Sequence, residues 1–185
     1  MVREEALNLV KQNIKNGNSI KHMLATEAIM RALAKHFTED EEVWGLAGLL
    51  HDMDMEIVDY RVNPEKQGVV AAEMLEKMGV DSIITNAIRA HNDATGKKAE
   101  TLIEKAIFAT DPLTGLIVAS TLVLPSKKLA DLTPENILNR FKEKSFAKGA
   151  RREAIATCAG INLTLENFAK IGLEAMKGIN TALGL

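Results

Sequence analysis

The most informative segment for the fold is Leu46-Ala47-Gly48-Leu49-Leu50-His51-Asp52-Met53-Asp54. Its apolar half follows the acidic residues 39–42, so we expect a buried helix with negative charge on its first turn. The inner end of a buried helix does not favour ionisable groups, because an unpaired buried charge costs several kcal/mol. His51 and Asp52 at that end therefore indicate a metal ion, whose charge would compensate them.

Two other segments carry residue types that a metal site needs. A His-Asp pair alone also arises by chance, but His22 lies in Ser19–Ala28 and Asp111 lies in Ile107–Pro112. The order His22, then His51-Asp52, then Asp111 resembles the metal-binding pattern of the HD-domain phosphohydrolase superfamily. The resemblance covers about residues 20–121, and its most specific part is Gly48-Leu49-Leu50-His51-Asp52.

The resemblance implies both a fold and a chemistry. Superfamily members hydrolyse phosphate mono- and diesters, often of nucleotides, at divalent metal ions. Carried onto this chain, the pattern makes His22, His51, Asp52 and Asp111 the metal ligands. Two imidazoles and two carboxylates suit Mn, Fe, Co, Ni or Zn, and they leave coordination positions open for water and a substrate oxygen. We therefore expect a metal-activated water to attack a small phosphorylated substrate, with nucleotides among the candidates.

Composition limits the class of protein and its partners. The chain has 185 residues, is 46% hydrophobic and contains one cysteine, which indicates a single folded domain, 1–185, in a reducing cytoplasm. A net charge of −2 argues against nucleic acid or an anionic membrane as partner. No apolar run is long enough for a membrane span. The sequence does not indicate an oligomeric state.

Helical periodicity runs through the whole chain, and no segment is a convincing strand. We expect an all-α bundle of about seven to nine helices, with a metal-site core at about 20–121 and C-terminal helices at 126–185 packed on it. The predicted N-caps are Ser19, Asn63, Asp81, Thr133 and Thr164. The last helix is expected to run from 165 to about 183.

Pro112 leaves two structures open for the segment around Asp111. Proline inside a helix removes a hydrogen bond, so a bend there would aim the Asp111 carboxylate into the core. Asp before Pro is also a sound helix start, with Asp111 as N-cap.

His91 follows a predicted helix from Ser82 to about Ala90. A histidine at a helix end is often only exposed, but Ala87–His91 resembles the superfamily segment that supplies a further histidine to the active-site cleft. We therefore expect His91 to act with Asp52 in catalysis. Arg89 and Lys97-Lys98 are weaker candidates for contact with a substrate phosphate.

Gln67 stands where many superfamily members have a histidine that helps to hold a second metal. An amide oxygen is a weak ligand for a transition metal, so we expect one tight ion per chain. The substitution also argues against the oxygen-activating diiron chemistry of a few relatives. A metal-binding regulatory module without turnover remains the alternative to an enzyme.

Two polar segments remain open to a structural or a functional interpretation. The loop after Asp54 would lie over a bound ion, so Asp54, Glu56 and Tyr60 are candidates for contact with the ligands, and Glu56 with the substrate. A solvated acidic loop explains them equally well. Lys148, Arg151 and Arg152 fit a solvated helix start, or an anionic partner, because cations are unfavourable at a helix N-terminus.

Overall fold

The computed structural model describes residues 1–185 and contains ten α-helices and no strand, which confirms the all-α prediction. The helices are α1 Arg3–Asn13, α2 Gly17–Phe37, α3 Glu41–Leu50, α4 Val69–Lys77, α5 Ser82–Ala90, α6 Leu102–Leu122, α7 Pro134–Lys142, α8 Arg152–Ala156, α9 Leu165–Lys177 and α10 Asn180–Leu183. Eight of them have nine or more residues. None combines the length and the apolar composition needed to cross a bilayer.

The long helices α2 and α6 form the centre, and the other helices pack around them. One cluster of buried apolar side chains runs from Ala6 on α1 to Leu183 on α10, so the C-terminal helices share a core with the rest. Helix α3 lies against α2 at Gly48, where an added Cβ would be 2.9 Å from backbone atoms of Glu27. This close approach brings the end of α3 near the start of α2, and with it His51 near His22.

The acidic start of α3 is as expected. Asp40 is the N-cap, and its carboxylate accepts from the backbone N–H groups of Glu42 and Val43. Asp81, Thr133 and Thr164 also cap α5, α7 and α9 as predicted.

Three helix boundaries differ from the expectation, and the structure decides the one that was left open at Pro112. Helix α2 begins at Gly17, because the Asn16 side chain rather than Ser19 accepts the first free N–H. Asn63 starts only a 3₁₀ turn, and α4 begins after Gly68, whose φ of 84° breaks the helix. Helix α6 continues through Pro112, so Asp111 is not an N-cap. The last predicted helix is divided between α9 and α10.

Candidate metal centre

Three elements bring the predicted metal ligands together. His22 lies near the start of α2, His51 and Asp52 directly follow α3, and Asp111 lies in the middle of α6. His51 and Asp52 are buried, whereas the side chains of His22 and Asp111 are each 25% exposed. The group therefore has a closed side toward α3 and an open side toward solvent.

The end of α3 allows two consecutive residues to face the same point. On a regular helix, neighbouring side chains diverge by about 100°. After Leu50 the backbone bonds shorten to a three-residue spacing, with the N–H of Met53 donating to Leu50 and that of Met55 to Asp52. The tighter turn brings the His51 ring and an Asp52 oxygen within 3.3 Å of each other.

Four side-chain atoms converge at this place, and we call their residues, His22, His51, Asp52 and Asp111, the acceptor cluster. The Nε2 atoms of His22 and His51 are 3.1 Å apart. Asp111 Oδ1 lies 3.1 Å from His22 Nε2 and 3.9 Å from His51 Nε2. Asp52 Oδ2 lies 3.5 Å from His22 Nε2, so each carboxylate faces both rings.

Hydrogen bonds on the far side of each ring fix which nitrogen carries the proton. His51 Nδ1 lies 2.8 Å from the carbonyl of Gly48, which can only accept, so Nδ1 carries the hydrogen. The Thr114 hydroxyl donates to the carbonyl of Asp111 and lies 2.8 Å from His22 Nδ1. Its oxygen must therefore accept from His22 Nδ1–H. When the two rings are neutral, as they must be to bind a metal, both Nε2 atoms are thus left with a lone pair.

With neutral rings, the acceptor cluster consequently presents four hydrogen-bond acceptors, namely two ring lone pairs and two carboxylate oxygens. No ring hydrogen lies between them. Burial by itself would lower the pKa of His22, but the carboxylates of Asp111 and Asp52 raise it to about 10. Burial would also raise the pKa of Asp52, yet the neighbouring imidazoles, His51 first, hold it well below its usual range. These opposed shifts have one cause, which is that the site attracts positive charge. The donor set fits a divalent transition metal.

The second oxygen of Asp52 faces a different set of groups. Gln67 Nε2 donates to Asp52 Oδ1 at 2.6 Å, and His91 Nε2 lies 3.3 Å from the same oxygen. The His91 ring is buried, and its Nδ1–H is directed at the carbonyl of Ile88. Gly68 makes room for it, since an added Cβ would be 2.9 Å from the His91 ring. Gln67 thus binds Asp52 through its amide N–H.

The loop after the cluster has structural contacts. Asp54 is buried, and its Oδ2 accepts from the backbone N–H groups of Gly68 and Ala71 at the start of α4. Burial raises the pKa of Asp54 despite these two bonds. Glu56 accepts from the backbone N–H groups of Lys15 and Asn16. Tyr60 is exposed, so Asp54 alone of these three candidates is buried beside the ligand loop.

Three of the cations considered for contact with an anion have no hydrogen bond or ion pair with the acceptor cluster. Arg89 forms a double hydrogen bond with Glu76. Lys148 is exposed and forms no ion pair. Arg152 donates to backbone carbonyls of residues 140–150 and closes that turn, so its role is structural.

Arg151 has a different environment from the other three cations. Its guanidinium pairs with Asp93 at 2.8 Å and lies 5.3 Å from the centre of the Phe108 ring. Phe108 precedes Asp111 by about one turn of α6, so Arg151 contacts α6 one turn from the acceptor cluster.

The sequence did not reveal the role of Thr114, and Gln67 was interpreted only as the absence of a metal-binding histidine. The available signal for Thr114 was its spacing, because a polar residue three positions after Asp111 in an apolar helix shares its face.

Comparison with known proteins gives one family. The family described as HD domain matches residues 19–116, which include all of the acceptor cluster. Ribonuclease Y of Clostridium tetani (strain Massachusetts / E88) is 30% identical over 139 residues, 74% of this chain and 26% of that protein. Ribonuclease Y of Lachnoclostridium phytofermentans (strain ATCC 700394 / DSM 18823 / ISDg) is 26% identical over 174 residues, 90% of this chain and 32% of that protein.

The chain therefore spans only about a quarter to a third of the length of these curated relatives. The search of solved structures gave no match.

Proposed function

Because this chain belongs to the HD domain family, a superfamily of metal-dependent phosphohydrolases, we propose that it cleaves a phosphate mono- or diester. The observation that carries the proposal is the acceptor cluster. The acceptor atoms of His22, His51 and Asp52 lie within 4.8 Å of one another, and Asp111 Oδ1 lies 3.1 Å from His22 Nε2. The hydrogen bonds of Gly48 and Thr114 direct the ring hydrogens away from this group. Acceptors gathered in this way need a cation between them.

His22, His51, Asp52 and Asp111 would hold one divalent transition ion, with Mn, Fe, Co, Ni and Zn as candidates. When bound, such an ion supplies Lewis acidity to a phosphoryl oxygen and lowers the pKa of a coordinated water. Thr114 orients His22, and Gln67 holds Asp52 through its Oδ1. Both contacts reduce the freedom of the ligands before any ion binds.

We assign direct roles in the reaction to Asp52 and His91. Asp52 orients the attacking water through the carboxylate that Gln67 fixes. His91, beside Asp52 Oδ1 and held by the carbonyl of Ile88, contacts the substrate and protonates its leaving oxygen.

The exposure of the site favours an enzyme over a regulatory module. Structural metal sites enclose the ion with protein ligands, whereas catalytic sites keep a position open to solvent. His22 and Asp111 are each 25% exposed, so substrate can approach from their side.

A phosphodiester of RNA is the second candidate substrate. It is favoured by the two relatives described above, which are named as ribonucleases. The net charge of −2 favours a small phosphorylated substrate, for which we argue here.

Metal content and hydrolysis together test the proposal. We expect close to one transition ion per chain by elemental analysis, lost in His51→Ala and Asp52→Ala. A panel of phosphomonoesters, nucleoside monophosphates, cyclic dinucleotides and short RNA, tested with Mn, Co and Ni, should show hydrolysis that Asp52→Asn abolishes. Asp59→Asn removes an exposed loop carboxylate and is the matched control.

Unchanged metal content in the cluster variants would remove the ion from these residues. A silent panel with the metal bound would instead support the regulatory module.

A further inference from the structure

A cleft of about 560 Å³ lies along the first half of α6, and its lining includes Phe108, one turn before Asp111, but no residue of the acceptor cluster. We call it the lysine cleft, because Lys97, Lys98 and Lys105 line it together with Phe108. Its remaining lining residues are Ala90, Asp93, Gly96, Ala99, Thr157 and Gly160.

Two of the three lysines have no counter-ion. Lys97 pairs with the buried carboxylate of Glu104 at 3.0 Å. No carboxylate oxygen lies within 4.0 Å of the Lys98 or the Lys105 ammonium, and neither ammonium donates a hydrogen bond. Lys105 is also half-buried. A partly desolvated cation without a partner favours binding of an anion. The unpaired cations stand out because the chain as a whole has a net charge of −2.

The cleft and the acceptor cluster lie on adjoining faces of α6, since at about 100° per residue Phe108 is about 60° and Lys105 about 120° around the helix axis from Asp111. Phe108 lies one turn before Asp111 and Lys105 nearly two turns before it, which is about 9 Å along the helix axis. On the other side of the cleft, Ala90 directly precedes His91. A molecule bound at the acceptor cluster can therefore extend into the lysine cleft.

The opposite end of the site has a different character. A cavity of about 510 Å³ adjoins His22 and Thr114, and its other walls are mainly aliphatic, with Lys21 as its one cation. The two ends thus differ in charge, and an anionic part of a substrate fits the lysine cleft.

We propose that the lysine cleft binds a second phosphate group of the substrate, one that is not cleaved, with Lys98 and Lys105 as its contacts. The substrate class is then a phosphate ester with two phosphates separated by about a sugar, as in a nucleoside bisphosphate. Arg151 lies against Phe108 and supports that wall of the cleft. This inference rests on the proposed function, because it assigns the cleaved phosphate to the acceptor cluster.

The test compares adenosine 3′,5′-bisphosphate with adenosine 5′-monophosphate by calorimetry on the 185-residue chain as purified. We expect the bisphosphate to bind about tenfold more tightly, as for a hydrogen-bonded charge pair. The double variant Lys98→Met, Lys105→Met keeps the aliphatic stems and should abolish this preference. Lys77→Met removes an exposed, unpaired lysine on α4 and should keep it. The preference should also decrease as ionic strength rises.

Equal affinities for the two nucleotides in the unaltered protein, or a preserved preference in the double variant, would overturn the proposal. Hydrolysis of p-nitrophenyl phosphate, which has one phosphate, reports on the acceptor cluster separately and should remain within about twofold in the double variant. A protein that hydrolyses no ester refutes the proposed function, while the calorimetric comparison still decides the cleft.

Discussion

Replacing Thr114 with valine tests whether the tautomer of His22 determines metal binding. The Thr114 hydroxyl has two bonds, donating to the Asp111 carbonyl at 2.7 Å and accepting from His22 Nδ1 at 2.8 Å. Valine keeps the shape and removes both bonds, so the His22 hydrogen is no longer held on Nδ1. In part of the population it would then lie on Nε2, where it blocks the lone pair.

Loss of a hydrogen-bond partner of a metal-binding histidine typically weakens metal affinity by about 10- to 100-fold, or about 1.4 to 2.7 kcal/mol. We expect a loss in this range for Thr114→Val, measured by calorimetric titration of Mn²⁺ or Zn²⁺ into chelator-treated protein. Thr114→Ser keeps the hydroxyl and should restore most of the affinity.

Thr110 provides a matched control one turn earlier on α6. Its hydroxyl is buried without a hydrogen-bond partner, so Thr110→Val makes the same substitution in the same helix without affecting a ligand. Equal metal affinity in Thr114→Val and the unaltered protein would refute the argument. An equal loss in both valine variants would refute it as well, because the effect would then come from α6 and not from His22.

Two further predictions concern the second side of Asp52 and the stability of α6. His91→Ala should reduce turnover strongly and leave metal content almost unchanged, whereas Gln67→His should raise the number of ions bound per chain. Loss of metal in His91→Ala would contradict a mononuclear site. Unchanged metal stoichiometry in Gln67→His would contradict it as well. Burial would raise the pKa of the Glu104 carboxyl, but backbone N–H groups at the start of α6 and an ammonium lower it. A lowered pKa stabilises the fold above the carboxyl's ordinary value, so the stability difference from Glu104→Gln, measured by urea unfolding, should shrink as pH falls below about 4.5.

Local capping chemistry explains why the starts of α5, α7 and α9 could be predicted. Asp81, Thr133 and Thr164 each satisfy a free N–H within three residues, so neighbours in sequence suffice. The start of α4 could not be predicted in this way. It depends on the Asp54 carboxylate, which reaches the N–H of Gly68 from 14 residues away.

Pro112 shows the reverse case. Proline costs a helix one hydrogen bond, which locally favours a break. Helix α6 nevertheless continues, because residues on both sides of Pro112 are buried in the common core, including Ile107 and Leu116. Packing over 21 residues therefore outweighs one missing bond.

Helical periodicity along the chain was sufficient to predict the all-α class. The order of His22, His51, Asp52 and Asp111 was sufficient to predict the family and the residue types of the site. That these four residues hold a metal ion remains a prediction. Only the tertiary structure decided which ring nitrogens face each other, because this depends on hydrogen bonds at Gly48 and Thr114 that the linear order does not specify.

The lysine cleft was likewise decided only by the tertiary structure. Lys97-Lys98 and Arg151 are distant in sequence, and each alone resembles an ordinary solvated charge. Packing of α6 against α5 and α8 places them around Phe108, one turn before Asp111. Pattern in a single sequence reports which faces are buried, but the groups that meet across those faces are set by how the helices pack.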